Sequence, residues 1–334
     1  MQGREESGRR PRFLRLLESD RGERVESSGQ PSAENEGGQD LKGILLAGGS
    51  GTRLFPLTHH MSKQALPVYD KPLIYYPLAT LMLAGIREIC VVTTPRDLEA
   101  IQSLLGDGAN WGLDLSFTVQ DSPRGIAEAF PLARPHIGEG PTCLVLGDNI
   151  LHGARLGLSL SDFQDPDGAV IFSYRVADPS AYGVVEVDAG GRPISLVEKP
   201  TDPHSNLAVP GLYFYSADVF GIADSLRPSS RNELEISDVN REYLAQSRLQ
   251  VVALPRGTAW LDCGTVDDLF EASTYVQVLT RRQGTKISCP EEIAWRKGWI
   301  TDADLESLAQ PLVNSGYGTY LMALLHGVHS PNVG

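Results

Sequence analysis

The sequence has little cysteine and lacks long apolar runs altogether. Four cysteines occur among 334 residues and no two form a Cys-x-x-Cys pair, so we expect buried, reduced thiols rather than a disulfide framework or a zinc site. No stretch approaches the roughly 18 consecutive apolar residues that span a bilayer, and the charged N-terminus lacks the apolar core of a secretory signal. The sequence therefore predicts a cytoplasmic protein without a membrane-spanning segment.

Positive charge is also scarce. Lys and Arg number 29 against 42 Asp and Glu, which gives a net charge of −13. A surface of this sign repels nucleic acids and anionic membranes, so we predict neither as a partner. An anionic small-molecule substrate is still allowed, because a local cluster of cations or a metal ion can override the global charge.

Residues 1–40 differ in composition from the rest of the chain. They are rich in Arg, Glu, Ser and Gly, and only Phe13-Leu14 and Leu16-Leu17 offer apolar anchors. Such a segment buries too little apolar surface to offset the entropy of ordering it, so we expect a disordered N-terminal extension. The alternative is a short helix that docks on a partner.

From Leu41 onwards, apolar strand-like runs alternate with runs of helical spacing. The predicted strands are 42–47, 86–94, 115–120, 142–146, 169–175, 183–187, 193–197, 211–215 and 249–254. The predicted helices are 72–85, opened by Pro72, 97–105, capped by Asp97, 125–134, 236–246 and 265–282, followed by short C-terminal helices with Trp295, Trp299 and Tyr317 as packing anchors.

This alternation is typical of an α/β fold. We predict a Rossmann-like, mostly parallel mixed sheet flanked by helices, with a C-terminal helical appendage. The predicted α/β domain covers residues 41–285, and the helical segment covers residues 286–334.

A glycine-rich loop follows the first predicted strand. The segment reads Leu46-Ala47-Gly48-Gly49-Ser50-Gly51-Thr52-Arg53, and without Cβ atoms its backbone N–H groups can approach phosphate oxygens. It lacks the dinucleotide-binding spacing, which requires glycine at Leu54, and the Walker spacing, which requires lysine at Gly49. The loop favours a phosphate site of another kind, and a simple tight turn is the alternative.

Two basic residues lie at the end of this loop and shortly after it in the sequence. Lys63 comes ten residues after Arg53, within Ser62-Lys63-Gln64-Ala65-Leu66-Pro67. Together they could grip a triphosphate and neutralise the charge that develops as pyrophosphate leaves. Spacing alone does not exclude an ordinary solvated lysine and arginine.

Two carboxylates stand at the ends of separate predicted elements. Asp148 ends a buried strand, where ligands bind in open parallel sheets, and Asp262 precedes a predicted helix. Two hard oxygen ligands suit Mg²⁺, which completes its shell with phosphate and water. The alternatives are a helix N-cap for Asp262 and an Asx-type turn for Asp148.

A further polar motif, Glu198-Lys199, closes a later strand. The carboxylate could hold sugar hydroxyls and the ammonium a sugar phosphate, whereas the alternative is a surface ion pair of little energetic value. Tyr182-Gly183 and Val209 to Tyr213 offer backbone and apolar surface nearby, or are simply part of the core.

The order of these motifs resembles that of the sugar nucleotidyltransferases. The shared series is the glycine loop with Arg53, Lys63-Gln64-Ala65-Leu66-Pro67, Gly147-Asp148-Asn149, Glu198-Lys199-Pro200 and Trp260-Leu261-Asp262. Within that family the chain is most similar to the glucose-1-phosphate thymidylyltransferases, from about Leu41 to about Leu325. Stretches beyond the motifs agree as well, namely 71–78, 110–114, 233–240 and 289–294.

The resemblance implies the nucleotide-diphospho-sugar transferase fold and a Mg²⁺-dependent reaction. The sugar-phosphate oxygen of glucose 1-phosphate would attack the α-phosphorus of dTTP in line, giving dTDP-glucose and pyrophosphate, with UTP as an alternative nucleotide. This would be the first step of dTDP-deoxysugar synthesis, for example of dTDP-rhamnose. The family also implies a homo-oligomer, usually a tetramer, and an end-product inhibitor at a second site.

The resemblance assigns roles residue by residue. The implied catalytic residues are Arg53, Lys63, Asp148 and Asp262, of which Lys63 stabilises the pentavalent phosphorus and the two acids bind the metal. The implied nucleotide-binding residues are Leu46, Gly48, Gly49, Ser50, Gly51, Thr52, Arg53, Gln64, Gln120, Pro123 and Gly125, with Gln120 and Gly125 at the pyrimidine edge. The implied sugar-binding residues are Asn149, Tyr182, Gly183, Glu198, Lys199, Val209, Tyr213 and Trp260, with Lys199 on the sugar phosphate.

The departures from the family pattern include four that bear on the implied site. Arg124 stands where an aspartate is usual, His152 ends a pair that is usually aromatic, and Pro210 and Cys263 each replace a threonine. Two other functions remain open at this point: a nucleotide-binding regulator without catalysis, and a transferase for mannose or glucosamine 1-phosphate. Retention of every proposed catalytic group argues against the first.

Overall fold

The structure is a computed structural model that describes residues 40–49 and 51–327. The predicted N-terminal extension therefore lies, apart from Asp40, outside the described residues, as do Ser50 and residues 328–334. None of the helices in the described ranges is both long and apolar enough to cross a membrane.

The described chain alternates strands and helices up to about residue 284 and is helical beyond it. Strands β1 to β14 are Lys42–Ala47, Pro67–Val68, Lys71–Pro72, Glu88–Thr93, Asp114–Val119, Thr142–Leu146, Asn149–His152, Ala169–Arg175, Gly183–Val187, Pro193–Glu198, Leu207–Ala208, Leu212–Tyr215, Leu249–Ala253 and Ala259–Asp262. Helices α1 to α10 are Tyr75–Leu83, Leu98–Leu105, Ala129–Ile137, Leu156–Leu160, Val219–Ser225, Ile236–Ala245, Val266–Gln283, Pro290–Arg296, Asp302–Ala309 and Gly316–Leu325.

The central sheet is mixed, as the sequence predicts. Its strand order within the described residues is β10-β9-β11-β8-β12-β6-β1-β4-β5, and β13 pairs with β8. Strands β6, β1, β4 and β5 run parallel, whereas β12 lies antiparallel between β6 and β8. The parallel half brings the carboxyl ends of β1 and β6 to the same edge, where both predicted phosphate and metal motifs begin.

Both faces of the parallel strands are covered, which explains their almost continuous apolar sequences. Ile44 of β1 packs in a cluster with Phe130 of α3. Its neighbour Leu45 points to the opposite face, in a cluster that contains Leu78 of α1 and Tyr317 of the C-terminal helices. The C-terminal helices therefore complete one side of the sheet. All four cysteines are free and buried, as predicted.

The structure corrects the starts of three predicted helices. Pro72 lies in the short hairpin β2–β3, so α1 begins at Tyr75 instead. Asp97 occupies the predicted N-cap position of α2, but its carboxylate accepts hydrogen bonds from Thr94 and Arg96 and makes no capping bond to the helix. The helix predicted from residue 125 begins with a 3-10 turn over Ile126–Glu128 before α3.

Two four-residue strands were not predicted at all. Strand β7 follows the Gly147-Asp148 turn directly and pairs antiparallel with β14. The register sets Asn149 opposite Asp262 and Leu151 opposite Trp260. This small ribbon connects the two segments that carry the predicted metal ligands.

Candidate active site

The glycine loop and Asp148 lie side by side at one edge of the sheet. Leu46 of β1 pairs with Leu146 of β6, so the loops that follow them start at the same level. The N–H of Gly147 donates to the Leu46 carbonyl at 2.9 Å. A Cβ on Gly147 would lie 2.7 Å from that oxygen, so only glycine allows this approach.

The two predicted metal ligands are brought together by the β7–β14 ribbon. Immediately after Asp262, the N–H of Cys263 donates to the backbone carbonyl of Asp148 at 3.1 Å. Burial and, next, the charge of Asp148 raise the pKa of Asp262 to about 6, against the opposing charges of Lys63 and Arg53. The other three predicted catalytic side chains therefore all act electrostatically on Asp262.

The structure also bears on the alternative roles considered for these acids. Helix α7 is capped by Thr265, whose hydroxyl accepts from the N–H of Asp268 in a capping box. The N-cap role considered for Asp262 is therefore wrong. Both carboxylate oxygens of Asp148 accept hydrogen bonds from side chains, Oδ2 from Lys63 at 2.7 Å and Oδ1 from Asn149 at 2.8 Å.

Lys63 is not a solvated surface lysine. It begins a 3-10 turn over Lys63–Ala65, which the Ser62 hydroxyl caps by accepting from the N–H of Gln64. Lys63 is 9% exposed, and its ammonium forms the ion pair with Asp148. Arg53 is exposed, on the 3-10 turn Thr52–Leu54. A Cβ on Gly264 would lie 3.6 Å from its Nη1 and 3.5 Å from Asp262 Oδ2, which places the guanidinium on the same side of the cleft.

Asn149 joins three elements around Asp148. It is 2% exposed. Its Oδ1 accepts from the Trp260 indole N–H at 2.6 Å and from the Gly211 N–H at 3.0 Å. Its amide nitrogen donates to Asp148, so Asn149 orients that carboxylate and anchors the ribbon to β12.

The predicted nucleotide residues gather along the glycine loop. The Gln64 side chain donates to the Gly48 carbonyl at 3.3 Å. Gln120 directly follows β5, and its side-chain amide donates to the Gly125 carbonyl at 3.0 Å. Thr52 and Pro123 are exposed at the rim, next to Arg53 and Arg124 in the sequence. Ser50 falls outside the described residues.

The loop that carries Gly125 is held by backbone hydrogen bonds to Leu234. The Leu234 N–H donates to the Arg124 carbonyl at 2.6 Å, and the Leu234 carbonyl accepts from Ala127 at 3.1 Å. Gly125 has a φ of 107°, and a Cβ there would lie 2.3 Å from the Leu234 oxygen. A side chain at this position is therefore excluded both by backbone conformation and by space.

The predicted sugar residues form a second cluster around Glu198. The N–H of Lys199 donates to the Tyr182 carbonyl at 2.9 Å, and the N–H of Val209 donates to the Gly183 carbonyl at 2.8 Å. Lys199 has a φ of 44°, in the left-handed region.

Glu198 contacts other side chains besides Lys199, so it is not simply one partner of a surface ion pair. Its Oε2 accepts a hydrogen bond from the Ser237 hydroxyl. Its Oε1 lies 3.7 Å from Lys199 Nζ and 3.6 Å from Arg231 Nη2. Ser237 and Arg231 were not predicted as site residues, although Ser237 lies in the stretch 233–240 that agrees with the family.

Aromatic side chains connect the two clusters. The Tyr182 and Trp260 rings lie 4.8 Å apart. Tyr213 is fully buried, and its pKa is raised by burial and then by Glu198, Asp148 and Asp262. The sugar cluster and the acid pair therefore flank one buried tyrosine.

The four departures from the family pattern take ordinary structural roles. Arg124 forms an ion pair with Glu128. The ring of His152 lies 6.2 Å from that of Tyr275, and burial lowers the pKa of His152. Burial raises the pKa of Cys263 to about 12, so this thiol stays protonated and inert. Pro210 is buried beside Gly211.

No group of three or more His, Cys, Asp or Glu side chains converges in residues 40–49 and 51–327. The pair Asp148 and Asp262 is nevertheless a sufficient protein contribution for Mg²⁺, which commonly takes one or two carboxylates and completes its shell with phosphate and water.

The Nucleotidyl transferase family matches residues 42–278 of this chain. A glucose-1-phosphate thymidylyltransferase of Mycobacterium tuberculosis is 58% identical over 285 residues, which cover 85% of this chain and 99% of that protein. One from an Actinoplanes strain is 54% identical over 284 residues, covering 85% and 94%.

Two solved structures are also similar to this chain in fold. A Bacillus anthracis crystal structure with bound sucrose has a TM-score of 0.65 and 34% identity, covering 70% of this chain and 94% of that one. A UDP-glucose pyrophosphorylase complexed with UDP-glucose has a TM-score of 0.62 and 28% identity, covering 71% and 99%.

Proposed function

We propose that this chain, which belongs to the nucleotidyl transferase family, is an enzyme. It joins dTTP and glucose 1-phosphate to give dTDP-glucose and pyrophosphate. The observation that carries the proposal is the arrangement of Asp148, Asp262, Lys63 and Arg53 beside the glycine loop. It combines two half-buried carboxylates with two cations, as nucleotidyl transfer requires.

The reaction needs no covalent enzyme intermediate. A phosphate oxygen of glucose 1-phosphate forms a bond to the α-phosphorus of dTTP, and the bond from that phosphorus to the bridging α–β oxygen breaks. Pyrophosphate leaves with the electron pair. The protein contributes positioning and charge stabilisation. Lys63 donates to the α-phosphate as its negative charge grows, and Arg53 binds the triphosphate from the open side of the cleft.

Asp148 and Asp262 are the residues that would hold Mg²⁺. The fit rests on their donor chemistry and on the raised pKa of Asp262, which reflects burial and the nearby charge of Asp148. A divalent cation favours the ionised form of both acids. When bound, Mg²⁺ neutralises phosphate charge. Asn149 keeps Asp148 in a single orientation by its hydrogen bond to Oδ1.

The nucleotide would lie along the glycine loop and the sugar in the cluster around Glu198. Gly48, Gly49, Gly51 and Thr52 surround the triphosphate, and Leu46, Gln64, Gln120, Pro123 and Gly125 contact the nucleoside. Glu198 accepts from sugar hydroxyls and Lys199 binds the sugar phosphate. Tyr182, Gly183, Val209, Tyr213, Trp260 and Asn149 form the walls and floor of the sugar site.

Assembly and regulation belong to the same proposal. A homo-oligomer is supported by the apolar side chains that α7 leaves in solvent, among them Phe270, which is 72% exposed, and Val278, which is 50% exposed, whereas the number of four subunits rests on likeness to the family. Light scattering that finds only monomer would contradict it. Inhibition by the end product of a dTDP-deoxysugar pathway at a second site rests on likeness to the family, and a cytoplasmic location rests on the composition of the sequence.

The decisive experiment is a pyrophosphate-release assay with Mg²⁺, glucose 1-phosphate and dTTP. We expect turnover that disappears in Asp148→Asn and Asp262→Asn. Parallel assays with UTP, mannose 1-phosphate and glucosamine 1-phosphate test the alternative substrates. Tight dTTP binding without pyrophosphate release from any pair of substrates would instead indicate a nucleotide-binding regulator.

A further inference from the structure

The side chain of Gln120 uses both of its N–H donors within the protein. Its amide nitrogen donates to the Gly125 carbonyl at 3.0 Å and to Glu128 Oε2 at 2.8 Å. A carbonyl and a carboxylate can only accept hydrogen bonds, so the end of the amide that faces them must be the nitrogen. The chemistry of the two partners therefore determines the orientation of the Gln120 amide.

The other end of the amide is then an acceptor that faces the cleft. A Cβ on Gly48 would lie 3.5 Å from Gln120 Oε1, which places this oxygen against the glycine loop. Among the described residues, no donor reaches Gln120 Oε1. The oxygen is thus available to a ligand that supplies an N–H.

Glu128 is fixed in the role of acceptor. It is 6% exposed, at the end of the 3-10 turn that precedes α3. The guanidinium of Arg124 pairs with its other oxygen, Oε1, and balances its charge. The Arg124 and Ala127 backbones are in turn bonded to Leu234, which holds the whole turn in place.

We propose that Glu128, paired with Arg124, is a positioning residue that determines nucleotide specificity by holding Gln120 Oε1 toward the base. The site then takes a pyrimidine whose N3 carries a hydrogen, as in thymine and uracil. It rejects cytosine, whose N3 is an acceptor and would face Gln120 Oε1 without a proton between them. This inference rests on the proposed function, because it requires a nucleotide base beside Gln120.

The test measures binding, so that it does not depend on turnover. Titration calorimetry with Mg²⁺ and without sugar phosphate gives the Kd values of dTTP, dCTP and N3-methyl-dTTP. For the unmodified protein we expect dTTP to bind about 10- to 100-fold more tightly than dCTP, the range set by one unpaired buried acceptor. N3-methyl-dTTP, which lacks the donor, should bind as weakly as dCTP.

Glu128→Gln tests the positioning role. A neutral amide at 128 can donate as well as accept, so the Gln120 amide can turn and present its nitrogen to cytosine N3. We expect the preference for dTTP over dCTP to narrow by roughly 10-fold, mainly because dCTP binds more tightly. The matched control is Glu139→Gln, which removes an exposed carboxylate that pairs with Arg134 just after α3, and it should leave the ratio unchanged.

Two results would overturn the inference. One is equal binding of dTTP, dCTP and N3-methyl-dTTP to the unmodified protein, which needs no variant to be folded. The other is a Glu128→Gln protein with a native circular dichroism spectrum that weakens dTTP and dCTP by the same factor, as a purely structural role predicts. Selective dTTP binding without pyrophosphate release would refute the proposed function and leave this inference standing.

Discussion

Replacing Lys63 by methionine removes the charge of the ion pair at the centre of the site while keeping much of the side-chain volume. Lys63 Nζ lies 2.7 Å from Asp148 Oδ2, and the side chains are 10% and 27% exposed. The substitution leaves Asp148 near Asp262 without the cation whose charge now offsets theirs. We therefore expect effects on both stability and catalysis.

The stability effect follows from the geometry of the pair. At 2.7 Å and an effective dielectric constant of about 20, Coulomb's law gives roughly 6 kcal/mol of attraction before desolvation is counted. Removing one partner of a buried pair costs about 3–5 kcal/mol. Since Asp148 keeps some contact with water, we expect the low end of that range, about 3 kcal/mol. Mg²⁺ should restore more stability to the variant than to the unmodified protein, because it no longer competes with the Lys63 ammonium for Asp148 and therefore binds the folded variant more tightly.

The catalytic effect is expected to be larger than the loss of stability would explain. Without a donor on the α-phosphate, about 3–4 kcal/mol of transition-state stabilisation is lost, which lowers kcat/KM roughly 100- to 1000-fold. Pyrophosphate release measures activity, and urea unfolding with and without Mg²⁺ measures stability. The matched control is Lys42→Met, since Lys42 pairs with Glu88 on neighbouring parallel strands away from the cleft. It should cost under about 1 kcal/mol and leave kcat/KM unchanged.

One result would show that Lys63 does not stabilise the transition state. If Lys63→Met keeps kcat/KM within about fivefold of the unmodified enzyme, less than about 1 kcal/mol of transition-state energy is involved. Lys63 would then serve only to neutralise Asp148.

Three further predictions concern the loop, the cap and a buried network. Gly125→Ala should weaken dTTP binding at least about 10-fold, because a Cβ would meet the Leu234 backbone at 2.3 Å and φ is 107°; unchanged affinity by calorimetry would show that the loop adapts. Thr265→Ala removes the capping box of α7 and should lower the free energy of unfolding by about 1 kcal/mol in urea; no change would mean that water replaces the cap. Burial raises the pKa of Asp70, but the neighbouring Lys71 and Lys286 outweigh it, so the net pKa is lowered. Its stabilising contribution is therefore present above its unfolded pKa of about 3.9 and lost as the pH falls through the folded value. Asp70→Asn should reduce stability at neutral pH and flatten the acid arm of stability against pH, and an unaltered acid arm would contradict this assignment.

Much of the fold follows from local sequence patterns. Strand Thr142–Leu146 and strand Ala169–Arg175 have the bounds that their apolar runs predict, because buried strands need consecutive apolar residues. Helix α1 begins later than predicted, since the hairpin that contains Pro72 forms between short segments whose sequences do not distinguish a turn from a helix start. The boundary at 285 between the α/β and helical parts remains a prediction.

The candidate site was predictable as a set of motifs and not as an arrangement. Asp148 and Asp262 could be selected as acids at the ends of predicted elements. The local sequence was equally consistent with a turn residue at Asp148 and a helix N-cap at Asp262. Glu128, Ser237 and Arg231 carried no spacing signal of their own. Their importance depends on which side chain lies opposite them, and that is decided by contacts between distant parts of the chain.

The amino-acid sequence by itself determined the apolar periodicity, hence the parallel strands and their flanking helices, and the glycines and charged residues that end those strands. Tertiary structure alone decided the pairing of β7 with β14, in which Trp260 bonds Asn149 across 111 positions of sequence and Asp262 comes beside Asp148. The physical reason is the sequence separation over which each kind of interaction acts. Periodicity and capping act between residues a few positions apart, whereas the register of two four-residue strands depends on buried hydrogen bonds that exist only once the sheet has folded.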